Sequence, residues 1–334
     1  MIINVKNGEV LAATSLPDFD PNSANTNPNA SNMFNRVTLG VYELGSTFKI
    51  FTTAALLEQK HPLFSQKFDA THPIVEGGHT IHDYHAENKF LTLPEVFMVS
   101  SNIGTARMAQ EIGTNGLKSM FDELGLLKKP DFEIEEVGSP IIPKPWREIN
   151  TLTASYGHGI AVSPLQLMGA VSDIVNGGYK IYPKLVMNAD KAKATNSNER
   201  IISTETSLKM RQLLRLVVSE GTARKANISG YYVGGKTGTA EKNINGKYTS
   251  DKNIAIFVGA FPIDNPMYAV MVLVDEPHPN KSSYGYATAG WVAAPAVGRI
   301  VTSMGSLLGM QPHTDTADIA EPLKQFISDV KGEH

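Results

Sequence analysis

The chain has 334 residues and no cysteine, which excludes disulfides and thiolate chemistry. It also lacks an excess of charge of either sign. Lys+Arg 30 against Asp+Glu 33 leaves a formal net charge of -3, which indicates neither nucleic-acid binding nor attraction to a membrane surface. Long apolar runs are missing too: the longest, residues 254–261 and 268–274, have strand length and fall far short of a bilayer span. No leader pattern is present, because Ile2-Ile3-Asn4-Val5 runs straight into the turn dipeptide Asn7-Gly8. What remains is a chain that is 42% hydrophobic and long enough to bury a large core.

Three short strings stand in order: Ser46-Thr47-Phe48-Lys49, Ser100-Ser101-Asn102 and Lys236-Thr237-Gly238-Thr239. Together they supply a nucleophile, a partner for its proton, a second proton carrier and a binder for a carboxylate, the groups that acyl transfer through a serine ester requires. Singly, the first two are weak. A second S-x-x-K runs from Ser328 to Lys331 and a second S-x-N is Ser23-Ala24-Asn25, so context must separate signal from coincidence. The Ser328 copy lies in a polar C-terminal segment and reads as a solvated helix face.

Around Ser46 the context is specific. Apolar Phe48, Phe51, Ala54, Ala55 and Leu56 follow a helical period after Gly45, which puts Ser46 in the first turn of a buried helix. Free N–H groups and the positive dipole end there favour developing negative charge, and the i to i+3 spacing puts Lys49 on the face of the serine hydroxyl. A lysine in so apolar a helix is costly as a cation, and burial pushes it toward the neutral amine that serves as a base. Thr92-Leu93-Pro94-Glu95 reads as a capping box that launches a helix up to Val99, and a second helical run spans residues 103–112 before Gly113. Ser100 and Asn102 then lie in the link between two helices, facing a cleft. The third string sits between Tyr231-Tyr232-Val233-Gly234-Gly235 and Ala240-Glu241-Lys242, an extended segment whose small residues let a ligand approach the backbone. Such a strand edge offers main-chain N–H groups to an oxyanion and a cation to a carboxylate.

With all three strings in order, the chain resembles the transpeptidase domain of class B penicillin-binding proteins, most closely the cell-division (septal) type. Further matches are Asn7-Gly8-Glu9-Val10-Leu11-Ala12-Ala13, Pro17-Asp18-Phe19-Asp20-Pro21-Asn22, Asn35-Arg36, Ser155-Tyr156-Gly157-His158-Gly159-Ile160, Ser163-Pro164-Leu165-Gln166, Asp275-Glu276-Pro277 and Ala293-Ala294-Pro295. Leu44 departs from the proline that often precedes Gly-Ser-Thr in the family, and residues 128–145 carry no alignable motif.

The resemblance implies an α/β (α+β) fold of the penicillin-binding-protein and serine β-lactamase type, an antiparallel sheet flanked by helices plus a mostly helical subdomain. It implies Ser46 as the nucleophile toward the penultimate D-Ala of a peptidoglycan stem peptide, Lys49 as its base and Ser100 as the relay to the leaving amine. Asn102, Lys236, Thr237, Gly238 and Thr239 are implied as the substrate-binding set, and the N–H groups of Ser46 and Thr239 as the oxyanion hole. Metal and organic cofactors are not implied. The implied partners are a D-Ala-D-Ala donor peptide, an amine acceptor and β-lactams as covalent inhibitors, together with membrane proteins of the division complex reached through an N-terminal anchor and pedestal domain that precede the domain in the family. An excised soluble domain is expected here, its parent on the periplasmic face of the bacterial inner membrane, where the lack of cysteine also fits. A naturally short homologue is the alternative.

The pattern predicts strands near residues 2–6 and 9–14, a polar loop over 18–35 with six asparagines, and mainly helix from 45 to about 212, including 114–124 and 164–176. Strands return at 231–242, 253–261 and 267–274, with Asn245-Gly246 as a turn, and a closing helix over 293–308 packs on the sheet. Two subdomains follow: a sheet part over about 1–60 and 215–310 and a helical part over about 61–214, with the site between them. His72, His79, His82, Asp83 and His85 invite a zinc assignment, but Gly77-Gly78 and Glu87-Asn88-Lys89 mark an exposed loop in which a spacing of three does not align ligands, so no metal is assigned. For a serine β-lactamase, no residue can be assigned to the deacylating water. A D,D-carboxypeptidase or a non-catalytic β-lactam sensor would share the acylated serine.

Overall fold

A computed structural model of the chain describes residues 1–22, 31–186, 199–244, 247–313 and 317–328. The elements are β1 Ile2–Asn4, β2 Val10–Ala12, α1 Lys49–Lys60, β3 Lys67–Asp69, β4 Ile74–Glu76, β5 His79–Ile81, β6 Phe90–Thr92, α2 Leu93–Met98, α3 Asn102–Glu123, α4 Glu148–Ser155, α5 Pro164–Val175, α6 Thr204–Ser219, β7 Gly234–Ile244, β8 Lys247–Phe261, β9 Tyr268–Asp275 and α7 Ala293–Leu307. One five-stranded sheet in the order β2-β1-β9-β8-β7 gathers strands from both ends of the chain, and every pairing in it is antiparallel. The fold is thus mixed helix and antiparallel sheet, as the sequence implies.

The sheet is covered on both faces, and the interior strand β8 shows it in its composition. Residues 254–261 of β8 are buried without alternation, because α5 and α7 both pack on this strand. The helix α1 lies in the interior, buried from Lys49 through Leu57 and packed by α3, α4, α5 and α6. Phe48 meets Phe51 and Phe121 edge to face, at 5.5 Å in each case, which fixes the start of α1 on α3. The Asn7-Gly8 turn is present, with Gly8 at φ 76° and its N–H on the Asn4 carbonyl at 2.9 Å.

Several details differ from the sequence reading. The histidine segment is not all loop: Gly77 and Gly78, at φ 55° and 79°, make a two-residue hairpin turn that pairs β4 with β5, with Glu76 opposite His79. β3 and β6 form a second short pair, so the region between α1 and α2 is strand where helix was expected. The break expected at Gly113 is present: its φ of 78° and ψ of 162° are not helical, so α3 is two helical runs that meet there at a kink, the second reaching Glu123. Ser328 lies past a 3-10 turn over Glu321–Phe326, and its N–H and hydroxyl both bond Glu95 Oε1, at 2.9 and 2.6 Å. It is therefore a tie to α2, where the sequence suggested a solvated helix face. Asn245-Gly246, Ser23-Ala24-Asn25 and Lys331 lie outside the described residues.

One close approach sets the position of the first motif. Gly157, at φ 84°, lies against the backbone of Gly45, where a Cβ would stand 2.1 Å from the carbonyl oxygen. Thr52 Oγ1 bonds the Ser155 carbonyl at 2.7 Å and holds the same segment to α1. Gly285 has the same φ of 84° with open space around it. Gly157→Ala should therefore cost at least about 2 kcal/mol in denaturant unfolding, whereas Gly285→Ala should cost only the backbone strain of about 1 kcal/mol. Equal losses in the two variants would contradict the close approach.

Candidate active site

Ser46 stands in a 3-10 turn, Gly45–Phe48, that feeds directly into α1, and it is partly exposed while Gly45, Thr47, Phe48 and Lys49 around it are buried. The turn is pinned by Thr47, whose N–H and hydroxyl both bond the Leu44 carbonyl, at 3.3 and 2.9 Å. Ser46 Oγ makes no hydrogen bond among the described residues. Lys49 is 0% exposed. Its amine donates to Asn102 Oδ1 at 2.7 Å and to Ser100 Oγ at 3.1 Å, and it also bonds the Ser100 carbonyl.

The second motif lies where α2 gives way to α3. Thr92 and Glu95 form the capping box read from the sequence, with Pro94 in the first turn. Ser100 follows α2 with φ 62°, a left-handed conformation that costs a residue bearing Cβ about 1–2 kcal/mol. That backbone turn brings both the Ser100 carbonyl and its hydroxyl to Lys49. Ser101 is the N-cap of α3, accepting from Gly104 N–H at 2.9 Å. Asn102 is the first residue of α3, and its Nδ2 donates to the His82 carbonyl at 2.9 Å.

The third motif is on β7, the edge strand beside the Ser46 turn. Gly238 makes this contact possible, since a Cβ there would stand 2.6 Å from the Leu44 carbonyl and 3.0 Å from Thr47 Cγ2. Lys236 is 0% exposed and donates to Ser100 Oγ at 2.8 Å. Thr237 Oγ1 pairs with Thr222 Oγ1 at 2.7 Å, and Thr239 Oγ1 accepts from Ala289 N–H at 3.2 Å. As an edge strand, β7 also presents unpaired main-chain groups along its outer side.

Lys49, Ser100, Asn102 and Lys236 are thus joined by hydrogen bonds, and Thr237, Gly238 and Thr239 continue along β7 beside the Ser46 turn. Two buried amines converge on a single hydroxyl, and the electrostatics follow from that. Burial lowers the Lys49 amine to about 7, with the charge of Asp83 opposing the shift. Burial, and after it the neighbouring Lys49, puts Lys236 well below the usual lysine range. His158 is pushed down to about 4 by burial and then by Lys49.

Four supporting residues were not assigned a role from the sequence. Asp83 sat in the tempting histidine pattern, yet its carboxylate accepts Ser101 Oγ at 2.7 Å and Ile103 N–H at 2.9 Å, which steadies the start of α3. Thr222 and Ala289 hold the side chains of Thr237 and Thr239 from distant segments, a relation no local pattern encodes. Glu43 precedes the nucleophile turn and bonds Gly159 N–H at 3.1 Å. Asp83→Asn should move the Lys49 titration lower than about 7, because the Asp83 carboxylate favours the ammonium against the effect of burial. NMR titration of the lysine side chains would read this, and an unchanged or higher midpoint would refute the coupling.

The arrangement of a partly exposed serine on a helix-start turn, buried amines and a strand edge is suited to acyl transfer. In sequence the chain is similar to a probable peptidoglycan D,D-transpeptidase FtsI of Caulobacter vibrioides, 38% identical over 333 residues that cover 97% of this chain and 56% of that protein. The chain spans about half the length of the curated relatives it matches. In structure it is similar to the apo transpeptidase domain of Burkholderia pseudomallei penicillin-binding protein 3, with a TM-score of 0.81, 31% identity and coverage of 94% of this chain and 89% of that one. It is similar also to penicillin-binding protein 3 of Mycobacterium tuberculosis complexed with ampicillin, with a TM-score of 0.80, 25% identity and coverage of 94% and 73%. The family described as the penicillin binding protein transpeptidase domain matches residues 1–300, the span that holds all three motifs, and the chain belongs to that family.

Proposed function

We propose that this domain is a serine-type peptidoglycan D,D-transpeptidase that cross-links stem peptides in septal cell-wall synthesis and is acylated by β-lactams. The observation that carries the reading is the convergence of Lys49 and Lys236, both fully buried, on Ser100 Oγ beside the Ser46 turn. The similarity to a protein named as a D,D-transpeptidase, and to one solved with ampicillin, supports the substrate and the inhibitor class.

The donor's terminal carboxylate is held by Lys236, Thr237 and Thr239 along β7, with Asn102 toward its amide. An anion beside Lys236 restores that amine toward its charged form, so a proton shared by the two amines settles on Lys236 and leaves Lys49 neutral. Lys49 then takes the proton of Ser46 Oγ as the oxygen attacks the penultimate D-Ala carbonyl, and the N–H groups of Ser46 and Thr239 receive the oxyanion. The C–N bond breaks, Ser100 passes the proton to the departing D-alanine amine, and the acyl group stays on Ser46. An acceptor amine attacks the ester, an amide forms, and its released proton returns to Ser46 Oγ.

In this reading, a sheet subdomain over about 1–60 and 215–310 and a helical subdomain over about 61–214 form the two walls of the cleft. The domain works at the periplasmic face of the inner membrane as the soluble part of a longer parent, whose preceding region contacts membrane proteins of the division complex. Among the described residues, no helix is long and apolar enough to cross a membrane.

Mass spectrometry after incubation with a fluorescent penicillin should find one adduct, on Ser46, lost in Ser46→Ala and kept in Ser328→Ala; labelling elsewhere would refute the assignment. Rapid turnover of the penicillin would identify a β-lactamase instead. With a donor peptide and an acceptor strand, the product should be a cross-linked dimer, and hydrolysis alone would point to a carboxypeptidase. The acylation rate should rise with pH through a midpoint near 7, because below it Lys49 is an ammonium and cannot accept the serine proton. The loss is roughly tenfold per pH unit on the acid side, and a rate that falls between pH 6 and 8 would exclude Lys49 as the base.

A further inference from the structure

Beside the Ser46 turn lies a group of side chains that the acyl-transfer steps leave unused. Glu43, three residues before the nucleophile, has its carboxylate held by Gly159 N–H at 3.1 Å and by the Tyr248 hydroxyl at 3.3 and 3.1 Å. Among the described residues no lysine, arginine or histidine forms an ion pair with it. Burial raises its carboxyl above the ordinary range, and those two donors only partly offset the effect. The ring of His158 stands edge-on to Tyr156 at 5.1 Å and tilted against Tyr248 at 5.7 Å, and its nitrogens have no hydrogen-bond partner among the described residues. With its pKa near 4, this imidazole is neutral around pH 7, so it can accept a hydrogen bond and does not repel a cation.

The register of β7 says what would arrive there. In the transpeptidase reading, on which this inference rests, the donor adds along the outer edge of β7 with its carboxylate at Lys236 and Thr237 and its reactive carbonyl at the Thr239 N–H. In an antiparallel pair, directly opposed residues carry their side chains on the same face. The reacting D-alanine then lies opposite Thr239, and the residue before it lies opposite Ala240. Ala240 shares its face of the strand with Gly238, and this face abuts the segment that carries Glu43: a Cβ on Gly238 would stand 2.6 Å from the Leu44 carbonyl, and one on Gly45 would stand 3.3 Å from Ala240 Cβ. A reaction that joins peptides through an amine requires stem peptides that bear one, and a diamino residue supplies it on a flexible side chain.

We propose that Glu43, framed by Tyr248, Gly159 and His158, is a specificity-determining residue that binds the primary ammonium of the stem peptide's diamino residue. The ammonium supplies the positive partner that the carboxylate lacks, and His158 takes a second N–H of the same group. The register places the donor's own side chain here; an acceptor amine awaiting attack on the ester has the same chemistry.

The test needs two tripeptides, Nα-acetyl-L-Lys-D-Ala-D-Ala and its Nα,Nε-diacetyl derivative, which differ only in the charge of the side-chain amine. In the donor arm, single-turnover release of D-alanine without an acceptor should be roughly tenfold faster for the free amine on the unmodified protein. In Glu43→Gln the ratio should fall to about one. In the acceptor arm, the diacetyl peptide is the donor, and the yield of cross-linked product against acceptor concentration is compared between the protein and Glu43→Gln. Discrimination in the donor arm that is lost in Glu43→Gln supports the proposal with the donor's amine at Glu43, a shift confined to the acceptor arm supports it with the acceptor's amine there, and donor-arm discrimination that persists in Glu43→Gln overturns it. Equal donor rates for the two peptides on the unmodified protein, with no acceptor-arm shift in the variant, overturn it. A penicillin adduct on Ser46 of the unmodified protein, measured alongside, separates the two levels: its absence fails the transpeptidase reading, while its presence without discrimination fails only the role of Glu43.

Discussion

Two primary amines, Lys49 Nζ and Lys236 Nζ, share the hydroxyl of Ser100 in a place that solvent does not reach. Removing an ammonium from water costs several kcal/mol, and two of them side by side add their mutual repulsion. The protein answers partly by lowering both amines toward the neutral form and partly by supplying acceptors, with Asn102 Oδ1 and the Ser100 carbonyl on Lys49 and the Thr237 carbonyl on Lys236. The unfavourable placement is also the source of the chemistry. A lysine near neutrality is a base at working pH, and one that regains its charge when a carboxylate arrives can distinguish a bound substrate from an empty site.

Much of the surrounding structure can be understood as holding this contact in place. Ser100 takes a left-handed conformation to present two oxygens to Lys49, and the strain is held between α2 and α3. Asp83 and the His82 carbonyl secure the first turn of α3, so the hairpin and strand segment between α1 and α2 supports the second motif from behind. Gly238 lets β7 close on the Ser46 turn, and Gly157 lets the segment after α4 close on the other side of that turn. The tail reaches the same region: Ser328 bonds Glu95, and Thr92 Oγ1 bonds the Phe326 carbonyl, so the helix that ends just before Ser100 is held from outside as well. None of these supports makes or breaks a bond in the substrate, but each restricts where the reacting groups can stand.

The parts of the fold legible in the sequence are those with a local cause. The capping box at Thr92 and Glu95, the Asn7-Gly8 turn, the helix starting at Ser163-Pro164 and the apolar strand over residues 254–261 all depend on neighbours a few positions away, and each is present. The short pairs β3 with β6 and β4 with β5 were missed because three-residue strands carry almost no periodic signal, although Gly77-Gly78 was the hairpin mark between two of them. Gly113 was legible as a helix break, since glycine alone adopts its non-helical φ of 78° and ψ of 162° without strain, and two helical runs meet there. Ser328 matched the pattern of a nucleophile and proved to be a hydrogen-bonding tie, since a pattern of four residues says nothing about what faces it across the chain.

For the site, the residue types and their order were determined by sequence alone: a serine and lysine one helical turn apart, a Ser-x-Asn link and a small-residue strand with a lysine at its start. Helical spacing and strand alternation are geometric consequences of the backbone, so they can be read without a fold. Only the tertiary structure decided that Lys49 and Lys236, 187 positions apart, meet at one hydroxyl, that Asp83 among the histidines accepts from Ser101 and Ile103 at the start of α3, and that Glu43, His158 and Tyr248 gather beside the nucleophile. Burial, and with it the protonation of each amine, depends on segments brought together from across the chain. That is a property of packing and not of any local string.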